Sequence, residues 1–357
     1  MINVTKTYLP PLDKYVRYLE KIWASNIVTN NGPLVIELEK KLKKYLGVKY
    51  LFFVANGTIA LQLAIKALRL KKEIITTPFS YVASTSSIVW EGCTPAFVDI
   101  DPRTLCIDVK KIERAITRRT EAILAVHVYG NPCDVEAIES IARKHRLKVI
   151  YDAAHAFGVK YRNTSILNYG DVSTLSFHAT KIFHTAEGGA VITNNDDLAQ
   201  RISYQRNFGH NGPERFFGLG INGKSSELHA AMGLCVLPKV QAFIKQRKAL
   251  SEYYSKIFKD SSLQIPVVST KAKCNYAYYP VIFPSEKLTL KVGEHLRNHA
   301  IGPRRYFYPS LNTLSYVISK KLTVSENISK RILCLPLYPE LKRSAVAAIA
   351  RLVLEQI

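Results

Sequence analysis

The stretch Leu175–Thr193, LSFHATKIFHTAEGGAVIT, holds a single lysine, Lys181, among a serine, two histidines, a glutamate and a glycine pair. A lysine ordinarily ends on a solvated helix face, because an ammonium is expensive to bury unpaired. Here the run before it, DVSTLSF, and the run after it, GGAVITN, both read as strands. Lys181 therefore sits in a loop between two buried elements. Either it is an ordinary surface lysine or it is an amine held off the surface for chemistry, and the rest of the chain has to decide.

Strand and helix patterns alternate through the first two hundred or so residues. YLFFV, EIITT, TPAFVDI, EAILAV and LKVIYD are apolar, unalternating runs bounded by turn residues. Between them, PLVIELEKKLKKYLG reads as a helix ended by Gly47, and TIALQLAIKAL, SYVASTSSIVWEG, DVKKIERAI and VEAIESIARKHR read as further helices. Strands with no polar alternation are covered on both faces, so the pattern predicts an α/β fold with a mostly parallel mixed sheet flanked by helices. After about Asn222 the pattern changes. SSELHAAMGLCVLPKVQAFIKQRKALSEYYSKIF reads as one long or broken helix with Pro238 inside it, and YAYYPVIF and KVGEHLRNHA suggest a smaller C-terminal α+β domain. The expected division is residues 1–240 and 241–357.

The 357 residues are 47% hydrophobic and 22% charged, ample for a folded core. No apolar run approaches a membrane span, and the N-terminus lacks a signal-peptide core, so the expectation is a cytoplasmic protein with no membrane partner. Its six cysteines show no CxxC pairing and are expected to be reduced. Fifty Lys and Arg against 28 Asp and Glu give a net charge of +22. The basic residues are spread over amphipathic helices such as ELEKKLKKYL, with no nucleic-acid-binding signature, so a nucleic-acid partner is not expected. A diffuse positive field also suits a polyanionic small substrate.

In a sheet of this kind ligands bind beyond the carboxyl ends of the strands. Four segments fall there. Asn56-Gly57-Thr58 lies between a strand and a helix, where free N–H groups and a hydroxyl make an anion site, or where Asn56 or Thr58 simply caps the helix. Ser176, five residues before Lys181, adds a second hydroxyl. Tyr81 offers an aromatic face. Asp152, ending LKVIYD, either caps the turn DAAHAFG or pairs with a cationic ring nitrogen; the spacing leaves both open. Anion site, stacking ring, aspartate and lysine together are the requirements of pyridoxal 5′-phosphate, with Lys181 bonded to the cofactor's aldehyde carbon.

At this point the chain resembles the DegT/DnrJ/EryC1/StrS sugar aminotransferases, enzymes of the fold-type I PLP class. The resemblance runs from TNNGPLVIELEKKL to ILCLPLYPEL, through NGTIALQLAI, TTPFSYVAS, AVHVYGNPCDVEAI, VIYDAAHAFG, SFHATKIFHTAEGGA and GINGKSSELHAAMGL. Within the family it is most similar to enzymes that aminate C4 of a dTDP-4-keto-6-deoxyhexose. The resemblance implies that Lys181 is catalytic and binds the cofactor and that Asp152 pairs with its ring nitrogen. It implies that Tyr81 stacks on the ring, that His155 lies near the ring's 3-hydroxyl, and that Gly57, Thr58 and Ser176 hold the phosphate. Asn222 is implied to reach the cofactor of a second subunit, making a homodimer with composite sites. L-Glutamate and a nucleotide-diphosphate keto-sugar are the implied substrates, and surface polysaccharide such as O-antigen the implied destination. A 3-aminotransferase, a UDP-sugar aminotransferase and a non-catalytic PLP-binding regulator are the alternatives.

Many relatives read Asn-Tyr-Arg where this chain has Asn222-Gly223-Lys224, so the basic residue is a point charge rather than a fork. Lys224 and the pair Arg304-Arg305 are the candidate anchors for a diphosphate. His178 and His184 flank Lys181 but lack further ligands nearby, so no metal is expected. Glu187, ahead of two glycines, is expected to be structural.

Overall fold

A computed structural model describes residues 1–357. Seven strands form the central sheet: β1 Tyr50–Val54, β2 Glu73–Thr76, β3 Thr94–Phe97, β4 Thr120–Val126, β5 Lys148–Asp152, β6 Val172–Ser176 and β7 Gly189–Thr193. Their spatial order is β1-β7-β6-β5-β4-β2-β3. Every neighbouring pair is parallel except those of β7, which runs antiparallel to both β1 and β6. Helices cover both faces, and all five residues of β7 are buried, as a strand sandwiched between layers requires.

The antiparallel β7 is what gathers the site. Its first residue, Gly189, pairs with Val54 at the end of β1 on one side and with Ser176 at the end of β6 on the other. A Cβ on Gly189 would come within 2.5 Å of the Asn56 carbonyl group, and one on Gly57 within 3.0 Å of Ser176 Cβ. Side chains there would push the three segments apart, so the glycines are needed for close approach.

The helix Pro33–Leu46 has proline at its start and stops at Gly47, whose φ of 65° is the left-handed C-terminal conformation. Pro238 breaks the later helical run. The chain makes one helix over Glu227–Val236, a 3₁₀ turn over Leu237–Lys239 and a second helix over Val240–Ile257. That second helix belongs to two cores. Val240 and Phe243 pack into the main core, and Leu250 and Tyr254 into a smaller one built on β8 Tyr279–Ile282 and β9 Ile332–Leu335, which pair antiparallel. The first residues of the chain join this smaller unit, because Ile2–Asn3 pairs in parallel with Ile301–Gly302. No helix is long and apolar enough to cross a membrane.

Candidate active site

Loops at the carboxyl ends of β1, β5 and β6, the start of the helix Val82–Trp90 and a segment of the smaller unit enclose one cavity of about 330 Å³. Asn56, Gly57 and Thr58 form one wall, and Ser176 stands beside them. Asn56 caps the helix Gly57–Ala67 by accepting from the Ile59 N–H at 2.9 Å. The N–H groups of Gly57 and Thr58, in the first turn of that helix, have no intrahelical acceptor and mark an anion-binding corner. Asn56 thus serves as the cap, and the Gly57 and Thr58 N–H groups stay free.

Asp152 ends β5 and is buried. One carboxylate oxygen accepts from Ser84 Oγ at 2.7 Å, and the other from the Ala154 N–H at 3.1 Å. It is therefore a turn cap as well as a cavity residue. Burial raises its pKa, and the bonds from Ser84 and Ala154 and the charge of Lys181 pull the other way. Lys181 lines the same cavity, part-shielded from water, and its Nζ enters none of the chain's hydrogen bonds or ion pairs. Burial lowers its pKa, and Asp152 opposes that shift. The result is an amine more readily deprotonated than a surface lysine, with a buried carboxyl across the cavity.

Tyr81, which precedes the helix Val82–Trp90, presents a ring that is 60% exposed at the mouth. His155 lies on the far wall, with its pKa held well below the usual value first by burial and then by Lys181. The smaller unit closes the cavity with Tyr278, Arg304, Tyr306 and Phe307. Arg304 lies over the Tyr306 ring at 5.4 Å.

A family model, the DegT/DnrJ/EryC1/StrS aminotransferase family, matches residues 13–354. The chain belongs to that family. It is 43% identical to a dTDP-4-amino-4,6-dideoxy-D-glucose transaminase of Shigella dysenteriae, over 95% of each chain. It is 39% identical to a transaminase of the same name from Escherichia coli, over 99% of this chain and 98% of the other. The solved structure of DesI in the presence of its TDP-sugar product superposes with a TM-score of 0.92 at 31% identity, covering 98% of this chain and 91% of that one. This chain is a PLP-dependent aminotransferase.

The residues fit that cofactor. Asp152 is a buried carboxyl with no cation in hydrogen-bond range, Lys181 is an amine without a partner, and the Gly57–Ser176–Gly189 junction is a cradle that a single Cβ would fill. The aminotransferase brings Gly57, Thr58, Tyr81, Asp152, His155, Ser176 and Lys181 to one cavity. It does not bring Asn222 there. Asn222 and Lys224 are stitched to the outside of that wall, where the Ala55 N–H donates to the Gly223 carbonyl and Lys224 Nζ donates to Asn222 Oδ1 at 2.9 Å. Lys224 also lies 4.7 Å from the Phe208 ring centre.

The expected anchor pair is split. Arg304 faces the cavity, but Arg305 is engaged elsewhere, donating to Glu286 at 3.1 Å and to the Lys330 carbonyl at 3.0 Å, 3.6 Å over Tyr308. Glu187, expected to be structural, lines the cavity, with its carboxylate 3.6 Å from His178 Nε2. His184 turns away and meets the Tyr8 carbonyl. Sequence reasoning missed Ser84, Tyr278, Tyr306 and Phe307. Only Ser84 carried a signal, as one of a run of hydroxyls on the buried side of an otherwise apolar helix.

Proposed function

We propose that this aminotransferase moves an amino group from L-glutamate to dTDP-4-keto-6-deoxyglucose, giving dTDP-4-amino-4,6-dideoxyglucose for surface polysaccharide. The observation that carries the reading is the pairing of an unpartnered Lys181 with a buried Asp152 in one cavity. The 43% and 39% identities to transaminases of that name support the choice of sugar.

When bound, pyridoxal 5′-phosphate supplies an aldehyde carbon that carries the amino group and a ring that stores electrons. Gly57, Thr58 and Ser176 hold its phosphate by N–H and hydroxyl donors. Tyr81 covers one ring face. Asp152, kept in place by Ser84 and Ala154, pairs with the ring nitrogen and keeps it protonated. Lys181 Nζ would hold the cofactor and, as a free amine, would serve as the base that moves the donor's α-proton. Glutamate leaves as 2-oxoglutarate before the keto-sugar enters. The reading places the reaction in the cytoplasm, in keeping with six free cysteines.

The active unit in this reading is a homodimer in which Asn222 reaches the phosphate site of the other subunit. Lys224 holds Asn222 Oδ1, which leaves the amide N–H₂ as the outward donor. Mixing Lys181→Ala and Asn222→Asp protomers tests the shared site. Each homodimer should be poor, while the heterodimer regains one intact site because both lesions fall in the other. No recovery after confirmed subunit exchange argues against it.

Arg304 is the guanidinium on the cavity wall and the candidate anchor for the diphosphate, whose remote binding positions the ketone. Raising salt should weaken kcat/KM markedly for the nucleotide sugar and little for the same sugar lacking its nucleotide, because screening acts on the diphosphate. The substrate itself is tested with purified protein, L-glutamate and a panel of nucleotide keto-sugars, with mass and NMR analysis of the product. Amination at C4 of the dTDP sugar is expected. Preferential amination at C3, or of a UDP sugar, replaces the proposed substrate with another.

A further inference from the structure

Four of the cations behind the net charge of +22 meet at a cleft that shares no residue with the active cavity. The helix Leu12–Ser25 carries Lys14, Arg17 and Lys21 at spacings of three and four, so the three share a face. That face and the turn Leu237–Lys239 wall a cleft of about 390 Å³, and Lys239 adds its cation from the far side. Tyr15 Oη donates to the Leu228 carbonyl at 3.2 Å and ties the helix to the element that ends in the turn. No acidic residue lines the cleft. The ammonium groups of Lys14 and Lys239 enter none of the chain's hydrogen bonds or ion pairs. Lys21 meets only the Tyr18 ring, at 5.2 Å, and Arg17 has one long contact, 3.8 Å from Asp13. Cations gathered without a counter-charge repel one another, and a cleft walled by one sign concentrates the other. The rest of the lining is largely apolar, with Leu234, Pro11 and Pro238 beside Tyr8 and Tyr18. A mainly apolar concavity of this size with a few convergent charges suits a small ligand. The helix also exposes an apolar stripe, Leu12, Val16 and Trp23. At about 3.6 residues per turn the stripe points away from the three cations, so a second subunit seated on it covers the stripe and not the cation face.

One bond joins this cleft to the catalytic loop. Tyr8 lines the cleft, and its carbonyl accepts from His184 Nε2 at 2.8 Å. The Ala186 N–H donates to His184 Nδ1 at 3.3 Å, which leaves the imidazole proton on Nε2 for Tyr8. His184 is buried and stands three residues after Lys181, in the loop between β6 and β7. The Tyr8 ring is itself fixed, edge-on to Phe243 with centres 4.8 Å apart.

We propose that this cleft is a second ligand site, taking a chain of phosphates such as that of a nucleoside triphosphate, and that its occupant steadies the Lys181 loop through Tyr8 and His184. The phosphates bridge Lys14, Arg17 and Lys21 on one wall to Lys239 on the other, and the apolar lining receives the base. By drawing the two walls together the ligand holds the Tyr8 carbonyl against His184.

Cys235 reads the cleft directly. It is half-buried in the lining, and its thiol pKa is raised by burial and lowered by Lys14. A bound anion opposes Lys14 and covers the sulfur, and both slow attack by the thiolate. Cys274, also half-buried but outside the cleft, is the internal standard. On the holoenzyme, inorganic triphosphate should slow alkylation of Cys235 by iodoacetamide about tenfold, the effect of a pKa rise of about one unit, and leave Cys274 unchanged. Peptide mass spectrometry follows both. The double variant Arg17→Gln, Lys239→Gln keeps Lys14 beside the thiol and should lose the protection. No protection in the wild type, or equal protection in the variant, overturns the site. ATP acting at lower concentration than inorganic triphosphate supports a base on the apolar lining, and equal potency overturns the base and leaves the phosphate chain. The link to the loop is read by hydrogen exchange. Triphosphate should slow amide exchange across Phe177–Gly188 in the wild type and not in the variant. Unchanged exchange there, with Cys235 protected, keeps the site and overturns the link. A protein that takes up no pyridoxal phosphate overturns the function proposed above, while Cys235 and the double variant still decide the cleft.

Discussion

Replacing Lys181 by alanine abolishes turnover, by more than about a thousandfold, while the protein still folds. The two halves of that expectation come from one observation. The Lys181 ammonium enters no hydrogen bond or ion pair, and burial lowers its pKa, so the folded state gains nothing from its charge. Removing it should leave the melting temperature unchanged or higher. Yet no other amine lines the cavity: the remaining cation there is the Arg304 guanidinium, which stays protonated and cannot act as a nucleophile. Near-normal turnover by the variant would falsify the assignment. A collapsed fold would instead show that the lysine carries a structural load that the geometry does not reveal.

Asp152→Asn should keep the cofactor bound and cut the rate by about two to four orders of magnitude, or about 3–5 kcal/mol of barrier at 1.36 kcal/mol per tenfold. The amide retains the size of the carboxyl, and its oxygen can still accept from the Ala154 N–H while its N–H₂ donates to Ser84 Oγ, so the turn after β5 should survive. What it cannot supply is a negative charge opposite a ring nitrogen. The two roles of Asp152, cap and counter-charge, are thereby separated. If the rate falls less than about tenfold, under about 1.4 kcal/mol, the aspartate is only a cap. The companion variant Ser84→Ala removes one of the two donors to the carboxylate and should have a smaller effect in the same direction.

The part of the site on strand ends was legible in the sequence. Asp152, Ser176 and Gly57 each follow an apolar run, and a parallel sheet sends the ends of such runs to one edge. The glycine pair before β7 pointed to a close approach, and the register shows which, since Gly189 meets Asn56 on one side and Ser176 on the other. The even choice at Asp152 between cap and counter-charge could not be settled by spacing, because the folded carboxylate has two oxygens and uses each differently.

Arg304 and Arg305 read as a pair, but Arg304 bridges to Cys334 in extended backbone, where successive side chains point to opposite faces. One reaches the cavity and the other is tied to Glu286. Tyr278, Tyr306 and Phe307 had no local signature at all. They enter the site through packing of the smaller unit on the larger, a long-range arrangement that no periodicity encodes. The bond from the Tyr129 N–H to His155 Nδ1 was equally hidden, since it depends on the left-handed turn at Tyr129, a residue type that rarely signals one. Asn222 was legible only by resemblance, which implied its reach to a second subunit, and it does not line the chain's own cavity.

The central claim is that Lys181 and the residues around it run an amino transfer from L-glutamate through bound pyridoxal phosphate. Its most direct test is a single turnover of the loaded protein with L-glutamate and no sugar, following the visible band and the 2-oxoglutarate released. The band should disappear as about one 2-oxoglutarate forms per site, and a keto-sugar added afterwards should restore it. A band that glutamate leaves unchanged, or that fades with no 2-oxoglutarate formed, contradicts the account.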